Sequence, residues 1–282
     1  MSLVKPAKSS EVTVAANDSV RMTQAGAYLS LPQKAVENFV KAQEISRVKV
    51  GRYWTIDKAS LDIWKTDYDT RLVPLVAEDY RTCLNFSIRS HYGGFAMTNF
   101  GTRTQRDVGQ FLFNSVQGKL GEIAVQKFLQ RFGINITLDF DVRGVVVGQD
   151  ITEIRRGRVA NPPGIRVGIK STKERNMFLA VPQNEVDLSE RSSDVYILVR
   201  VALPSDHFLR YVKDFNGLSE VHNIIPDFEP ITAEIAGFTY KSDLQGPTQQ
   251  ILGQDLAKPN YFALTGSLRK SDSEWRELIG RL

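Results

Sequence analysis

The stretch from Gly118 to Lys173 constrains the fold most, because its pattern predicts a helix followed by strands in a fixed order. Apolar residues recur at helical spacing after Glu122, which places this glutamate at the head of a buried helix face. Gly133 follows the last periodic residue and predicts the end of the helix. The next segments have the alternation typical of strands: 134–140, 150–154 and 165–171.

Two carboxylates and a lysine fall where these elements could bring them together. Asp150 opens one predicted strand, Lys170 lies in the next, and Glu122 heads the helix face. Hydrolysis of a phosphodiester needs a divalent metal held by hard carboxylate oxygens, where it touches both water and phosphate. A nearby lysine can orient the water and stabilise the negative charge that develops. The three residues therefore meet the minimum for a metal-dependent phosphodiesterase, although such residues are often only surface or turn residues.

Together with the apolar strand predicted at 194–201, this order resembles the core of the PD-(D/E)XK nuclease superfamily, home of most type II restriction endonucleases. The resemblance covers roughly residues 118–201. It implies an α/β (α+β) fold with a restriction-endonuclease-like mixed β-sheet flanked by helices. It also implies that Asp150 and Glu122 bind Mg²⁺ with the backbone carbonyl of Ile169. Lys170 matches the motif lysine, which positions the attacking water.

One position departs from the family pattern. Two residues before the lysine the family usually has Asp or Glu, and this chain has Gly168. Either Glu122 or Glu153 replaces the missing acid, or the site is degenerate. We favour Glu122, because Glu153 lies three residues along from Asp150 and so on the opposite face of its strand. Two rival candidates for the motif aspartate come earlier in the chain: Asp139 and Asp141.

The pattern of residues 22–70 predicts a small separate domain. It consists of two short helices, two strands that turn near Gly51, and a third helix. This order resembles the excisionase-like and MerR-like winged helix-turn-helix domains. The resemblance implies that the outer face of the second helix reads base edges and that the wing contacts phosphates. The alternative is a solvated helix face and an ordinary cationic hairpin. The candidate DNA-binding residues are Gln33, Lys34, Asn38 and Lys41 on the helix, and Arg47, Lys49 and Arg52 on the wing.

Composition sets further limits. The net charge of +4 suits a polyanion partner, and the single cysteine excludes an intramolecular disulfide. The three histidines are too far apart in sequence to favour a zinc site. No apolar run reaches the length of a membrane span and no signal-peptide core is present, so we expect a cytoplasmic protein without a membrane partner.

The remaining segments complete the predicted organisation. Residues 1–21 are predicted as a flexible tail, 22–70 as the winged helix domain, and 71–282 as the nuclease domain. Residues 69–117, nearly all of them in the nuclease domain, are interpreted as a connector whose Arg103 and Arg106 could meet the DNA backbone. Further strands are predicted at 207–212 and 231–244, and Ser273 is the predicted cap of a terminal helix.

These features predict a sequence-specific double-stranded DNA endonuclease of the type II restriction type. It would act with Mg²⁺, leave a 5′-phosphate, and work as a homodimer, since cutting both strands needs two sites or two events. One alternative is a repair, mobile-element or modified-DNA nuclease of the same fold. The other is a non-catalytic DNA-binding regulator with a degenerate nuclease domain, which Gly168 keeps open.

Overall fold

The computed structural model describes residues 18–93, 107–142, 149–214 and 222–282. Arg103, Arg106 and the predicted strand start at 145–147 lie outside these ranges. The predicted α/β (α+β) class is confirmed at the level of a mixed α+β chain with several sheets. None of the helices in the described ranges is both long and apolar enough to cross a membrane.

The strands are β1 (Ser19–Arg21), β2 (Val48–Val50), β3 (Tyr53–Asp57), β4 (Leu72–Leu75), β5 (Asn135–Leu138), β6 (Ile151–Arg156), β7 (Val159–Asn161), β8 (Val167–Lys173), β9 (Phe178–Pro182), β10 (Val195–Val201), β11 (Ile231–Tyr240), β12 (Gln245–Ile251) and β13 (Gln254–Leu264). The helices are α1 (Ala25–Leu29), α2 (Gln33–Lys41), α3 (Lys58–Thr70), α4 (Ala77–Tyr92), α5 (Val108–Gln130), α6 (Gln183–Asp187), α7 (His207–Val212) and α8 (Asp272–Arg281).

The first unit of the chain is built from β1 to β3 and α1 to α3. Its sheet has the order β1-β3-β2 with antiparallel pairs. Gly51 has a φ of +59° at the first central position of the β2–β3 turn, which favours glycine and fits a type II′ turn. Val36 and Phe39 of α2 are buried in this unit's core. The predicted flexible tail was too long, because Ser19–Arg21 pair with β3.

A four-stranded sheet with the order β4-β11-β10-β8 forms the centre of the second unit. β8 and β10 are parallel, and every residue of β10 is buried, which confirms the predicted interior strand. α5 packs on this sheet and begins at Val108, well before the predicted start near Gly118. The predicted connector at 69–117 contains β4 and α4. Pro74 obscured β4, but β4 is an edge strand, where proline is tolerated.

Two smaller sheets, with the orders β5-β6-β7 and β12-β13-β9, complete the second unit. The strand predicted at 207–212 was wrong, because these residues form α7, entered through Asp206, whose carboxylate pairs with Arg210 one turn later at 2.8 Å. The cap of α8 is Ser271 rather than Ser273. Ser271 and Glu274 form a capping box, in which the Glu274 carboxylate accepts from the Ser271 N–H at 2.9 Å.

The two units share a buried ion-pair network. Arg200 on β10 donates to Glu44, which follows α2, at 2.5 Å and to Glu234 on β11 at 3.0 Å. Arg71, at the end of α3, donates to the same Glu234 at 2.6 Å. All four side chains are nearly inaccessible to solvent. Because buried charges are costly unless paired, this network favours contact between the two units.

Candidate active site

Helix α5 lies unusually close to β8, and glycine makes the approach possible. A Cβ atom on Gly121 would lie 1.9 Å from Oγ of Ser171, so no larger residue fits there without movement. The Ser171 hydroxyl donates to the carbonyl of Gly118 at 3.2 Å. Ser171 therefore points toward α5. Because Glu122 directly follows Gly121 on the helix, this contact brings Glu122 beside the sheet.

Asp150 is fixed against the edge of β8 that β10 does not use. Its N–H donates to the carbonyl of Val167 at 3.3 Å, and its Oδ2 accepts from the N–H of Ile169 at 2.6 Å. The N–H and C=O groups of one strand residue point to the same side of the strand. The carbonyl of Ile169, predicted as a metal ligand, therefore faces the same edge as the Asp150 carboxylate.

Glu122 is a buried carboxylate with an unusual protonation equilibrium. Burial and then the nearby negative charge of Asp150 raise the pKa of Glu122 to about 8, while Lys119 opposes the shift. Lys119 Nζ donates to Glu122 Oε2 at 2.8 Å. Glu122 Oε1 has no hydrogen bond to the described residues and remains open to a cation or a proton. Asp150 thus lies close enough to Glu122 for its charge to act on that carboxyl.

Lys119 is a residue that sequence reasoning missed. Besides Glu122, its ammonium group binds the carbonyl of Asp139 at 2.8 Å. It also lies 4.7 Å from the ring centroid of Phe86 and 5.1 Å from that of Phe140. Its position one helical turn before Glu122 was the available signal, since residues three apart on a helix face each other. The rival Asp139 lies near this cluster and contributes to the raised pKa of Glu122.

Lys170 does not join this cluster, contrary to the expected convergence. Side chains alternate along β8, so Lys170 and Gly168 lie on the face opposite Ser171. Lys170 Nζ pairs with Glu185 of α6 at 2.6 Å. A Cβ on Gly168 would lie 2.8 Å from Ser193 Oγ and 3.1 Å from the Tyr196 ring. The missing acid of the motif therefore has a physical reason: this face of β8 is packed and has no room for one.

Two other residues of β8 do share the face of the carboxylates. Ser171 contacts α5, and Lys173 follows it on the same face, with its Nζ 5.7 Å from the ring centroid of Phe113 on α5. Glu153, the alternative acid, bonds Thr137 at 3.4 Å and Arg155 at 3.1 Å near the surface. Its neighbours therefore differ from those of Glu122 and Asp150.

The donor set fits a magnesium ion. Within the described ranges, no three side chains of His, Cys, Asp or Glu form a ready-made metal site. Mg²⁺ needs fewer ligands from the protein, since it keeps several waters and usually binds one or two carboxylates together with substrate phosphates. Glu122 and Asp150 provide two such carboxylates, and a cation would offset both the burial and the repulsion by Asp150 that raise the pKa of Glu122.

The candidate DNA-reading face of α2 is only partly open. Asn38 donates its side-chain amide to the carbonyl of Arg175 in the second unit at 3.2 Å. Gln33 and Lys34 both bond the carboxylate of Glu37, at 3.1 and 3.2 Å. Lys41 is exposed at the end of α2. Because Asn38 is held by the second unit, it is not free to read a base in this structure.

The β2–β3 hairpin, called the wing from here on, is open to solvent. Its basic residues Arg47, Lys49 and Arg52 are all exposed and form no ion pair with the described residues. Arg47 lies over the ring of Trp54, with 4.1 Å between Cζ and the ring centroid. The wing therefore presents the positive charge that the sequence predicted.

Comparisons with known proteins add no relative: no protein-family model, no curated protein and no solved structure matches the chain significantly.

Proposed function

We propose that this protein is a metal-dependent endonuclease acting on double-stranded DNA at specific sites. The observation that carries the proposal is the pair of carboxylates, Glu122 and Asp150, held together where α5 crosses the edge of β8. A metal site that cleaves phosphodiesters requires nearby carboxylates that can bind the metal. The exposed basic wing and the net charge of +4 favour DNA as the substrate.

Mg²⁺ would be held by Asp150, Glu122 and the carbonyl of Ile169. The ion would supply the positive charge that brings a water and a phosphate oxygen together. The N–H of Ile169 fixes the carboxylate of Asp150 in advance, because it binds Oδ2 at 2.6 Å. Lys119 holds Oε2 of Glu122 and leaves Oε1 for the ion. This preorganisation removes part of the entropic cost of assembling the site.

We assign the lysine role to Lys119 instead of Lys170. Lys119 contacts Glu122, whereas Lys170 pairs with Glu185 on the opposite face of β8. An ammonium group beside the carboxylates can stabilise the negative charge that develops on the phosphate. Lys173 shares the correct face but lies further along β8, beside Phe113.

The test is digestion of unmethylated supercoiled plasmid with Mg²⁺, compared with EDTA, followed by sequencing of the fragment ends. We expect discrete fragments with 5′-phosphates that EDTA abolishes. Asp150→Asn should lower the rate by about a hundredfold or more, since it removes a carboxylate charge from the site. The matched control is Glu153→Gln, three residues further along, which should cut like the wild type. Absence of cleavage with Mg²⁺ or Mn²⁺ on unmethylated and methylated DNA would refute the proposal.

Cleavage of both strands leads us to propose a homodimer, because two sites can then act on one duplex. Sedimentation of the free protein and of its DNA complex would measure this directly. A monomer in both states, with full double-strand cleavage, would refute it.

A non-catalytic DNA-binding regulator remains a second candidate, and one observation favours it. The strand face that carries Gly168 and Lys170 is packed, so the usual acid and lysine of the motif are not available as a pair. The regulator would bind duplex DNA at a defined site and leave it uncut with any divalent metal.

A further inference from the structure

Two aromatic rings on the wing extend into solvent. Tyr53 is 56% exposed and Trp54 is 43% exposed, and Val48 and Val50 beside them are more than 40% exposed. Isolated exposed apolar residues are ordinary, but several large ones on the two faces of one small hairpin mark an interaction site. We call this group, together with the basic residues around it, the wing surface.

Each ring is paired with an arginine. Cζ of Arg21 lies 4.5 Å from the ring centroid of Tyr53, and Cζ of Arg47 lies 4.1 Å from that of Trp54. Successive strand residues point to opposite faces, so each face of the hairpin carries one aromatic–arginine pair. Such pairs combine a flat apolar surface with a positive charge, which matches the base and the phosphate of a nucleotide.

The positive charge of the wing surface indicates which kind of partner binds there. The wing surface contains Arg21, Arg47, Lys49 and Arg52, and none of them forms an ion pair with a carboxylate in the described parts of the chain. A second copy of the same surface would be repelled, and an uncharged apolar partner would leave the four charges uncompensated. A polyanion with flat apolar groups satisfies both features.

The form of the DNA follows from what the rings can reach. In a duplex the faces of the bases are covered by their neighbours, so an aromatic side chain stacks most readily on bases that are unpaired. α2 offers limited help with a duplex groove, because Asn38 is bonded to the carbonyl of Arg175 and Ala42 is buried against Met177 and Phe178. The rings, rather than α2, are the groups most free to contact bases.

We propose that the wing surface binds a single-stranded segment of DNA, with bases stacked on Tyr53 and Trp54 and phosphates on Arg47, Lys49 and Arg52. This inference rests on the proposed function and names its substrate class: duplex DNA that adjoins unpaired bases.

The tryptophans provide a direct signal. Trp54 is 43% exposed, whereas Trp64 is 8% and Trp275 is 0% exposed, so a bound oligonucleotide can quench only Trp54 by stacking. The full-length protein is titrated with a 20-nucleotide oligothymidylate and with a blunt hairpin duplex, at low salt with EDTA. We expect quenching and protection from acrylamide with the oligothymidylate, and tighter binding of it than of the duplex.

Substitutions then assign the contact. Trp54→Phe should abolish the quenching, and Tyr53→Ala or Trp54→Ala should weaken binding of oligothymidylate roughly tenfold or more. The matched control is Tyr92→Ala, since Tyr92 is 80% exposed but lies on α4 outside the wing. That variant should bind like the wild type.

Two results would overturn the inference, and they differ in what they say of the nuclease. Tighter duplex binding without quenching, together with Mg²⁺-dependent cleavage of plasmid, would refute the stacking role and leave the proposed function intact. Absence of binding to the oligothymidylate, together with absence of Mg²⁺-dependent cleavage of plasmid, would refute both.

Discussion

Replacing Glu122 with glutamine is expected to stabilise the protein at alkaline pH. Burial, with the charge of Asp150, raises the pKa of Glu122 from its ordinary value of 4.5 to about 8 in the folded protein. Because the folded-state pKa is above the unfolded one, the carboxyl's contribution to stability is fully present below pH 4.5. It is lost progressively as the pH rises through 8. Glutamine resembles the protonated acid and does not titrate.

The size of the effect follows from the shift in pKa. Each pKa unit corresponds to about 1.4 kcal/mol, so a rise from 4.5 to about 8 corresponds to about 5 kcal/mol. The wild type should lose most of this relative to Glu122→Gln between pH 4.5 and pH 9. Such a loss is a large part of the net stability of an ordinary domain, which is about 5–15 kcal/mol.

The assay is urea unfolding of the wild type and Glu122→Gln at several pH values from 5 to 9, in EDTA. The free energy of unfolding of Glu122→Gln should exceed that of the wild type by an amount that grows across this range. The contributions of other titrating groups cancel in this difference. The control is Glu153→Gln, since Glu153 lies near the surface and pairs with Arg155. Adding Mg²⁺ at pH 8.5 should stabilise the wild type and leave Glu122→Gln nearly unchanged.

Parallel stability curves for the wild type and Glu122→Gln would refute the reasoning, because they would mean that Glu122 titrates normally. If the stability advantage of Glu122→Gln grew with pH but Mg²⁺ had no effect, Glu122 would be a buried acid that does not bind the metal.

Four further substitutions test the packing around the site, the buried ion-pair network and one buried histidine. Gly168→Ala should cost about 1–3 kcal/mol in urea unfolding, since the added Cβ meets the Tyr196 ring at 3.1 Å; Gly118→Ala on α5 has open space and should gain about 1 kcal/mol. Arg200→Met should cost about 3–5 kcal/mol because it leaves buried carboxylates without a partner; a cost below 1 kcal/mol would contradict the role of the network. Burial lowers the pKa of His207 to about 4, so the stability of its neutral form is present above pH 6.5 and lost as the pH falls toward 4. His207→Gln should therefore lose less stability than the wild type between pH 7 and pH 4.

Sequence patterns predicted the elements with strong local signals. The apolar run of β10, the hairpin turn at Gly51 and the helix that carries Glu122 are all where the pattern indicated. Ser171 and Lys170 lie on opposite faces of β8, as the alternation of side chains along a strand requires. What alternation does not provide is which face of β8 the helix covers, because both faces are packed. Lys170 was therefore grouped with the wrong side chains.

The contacts that sequence reasoning missed are long-range ones. Glu44 and Arg200 are far apart in the chain, and each looks like an ordinary surface charge until the fold brings them together. Asn38 has a suitable side chain for reading a base, but its position depends on how the two units pack. Local periodicity carries no information about either contact.

The most direct measurement of the central claim is the single-turnover rate of cleavage of one labelled DNA substrate by the wild type, Glu122→Gln and Lys170→Met. The carboxylates on the side of β8 that α5 covers should carry catalysis. Glu122→Gln should therefore lower the rate about a hundredfold or more, and Lys170→Met should lower it less than tenfold. Equal activity of the wild type and Glu122→Gln, with loss of activity in Lys170→Met, would place the chemistry on the opposite face of β8 and contradict the account.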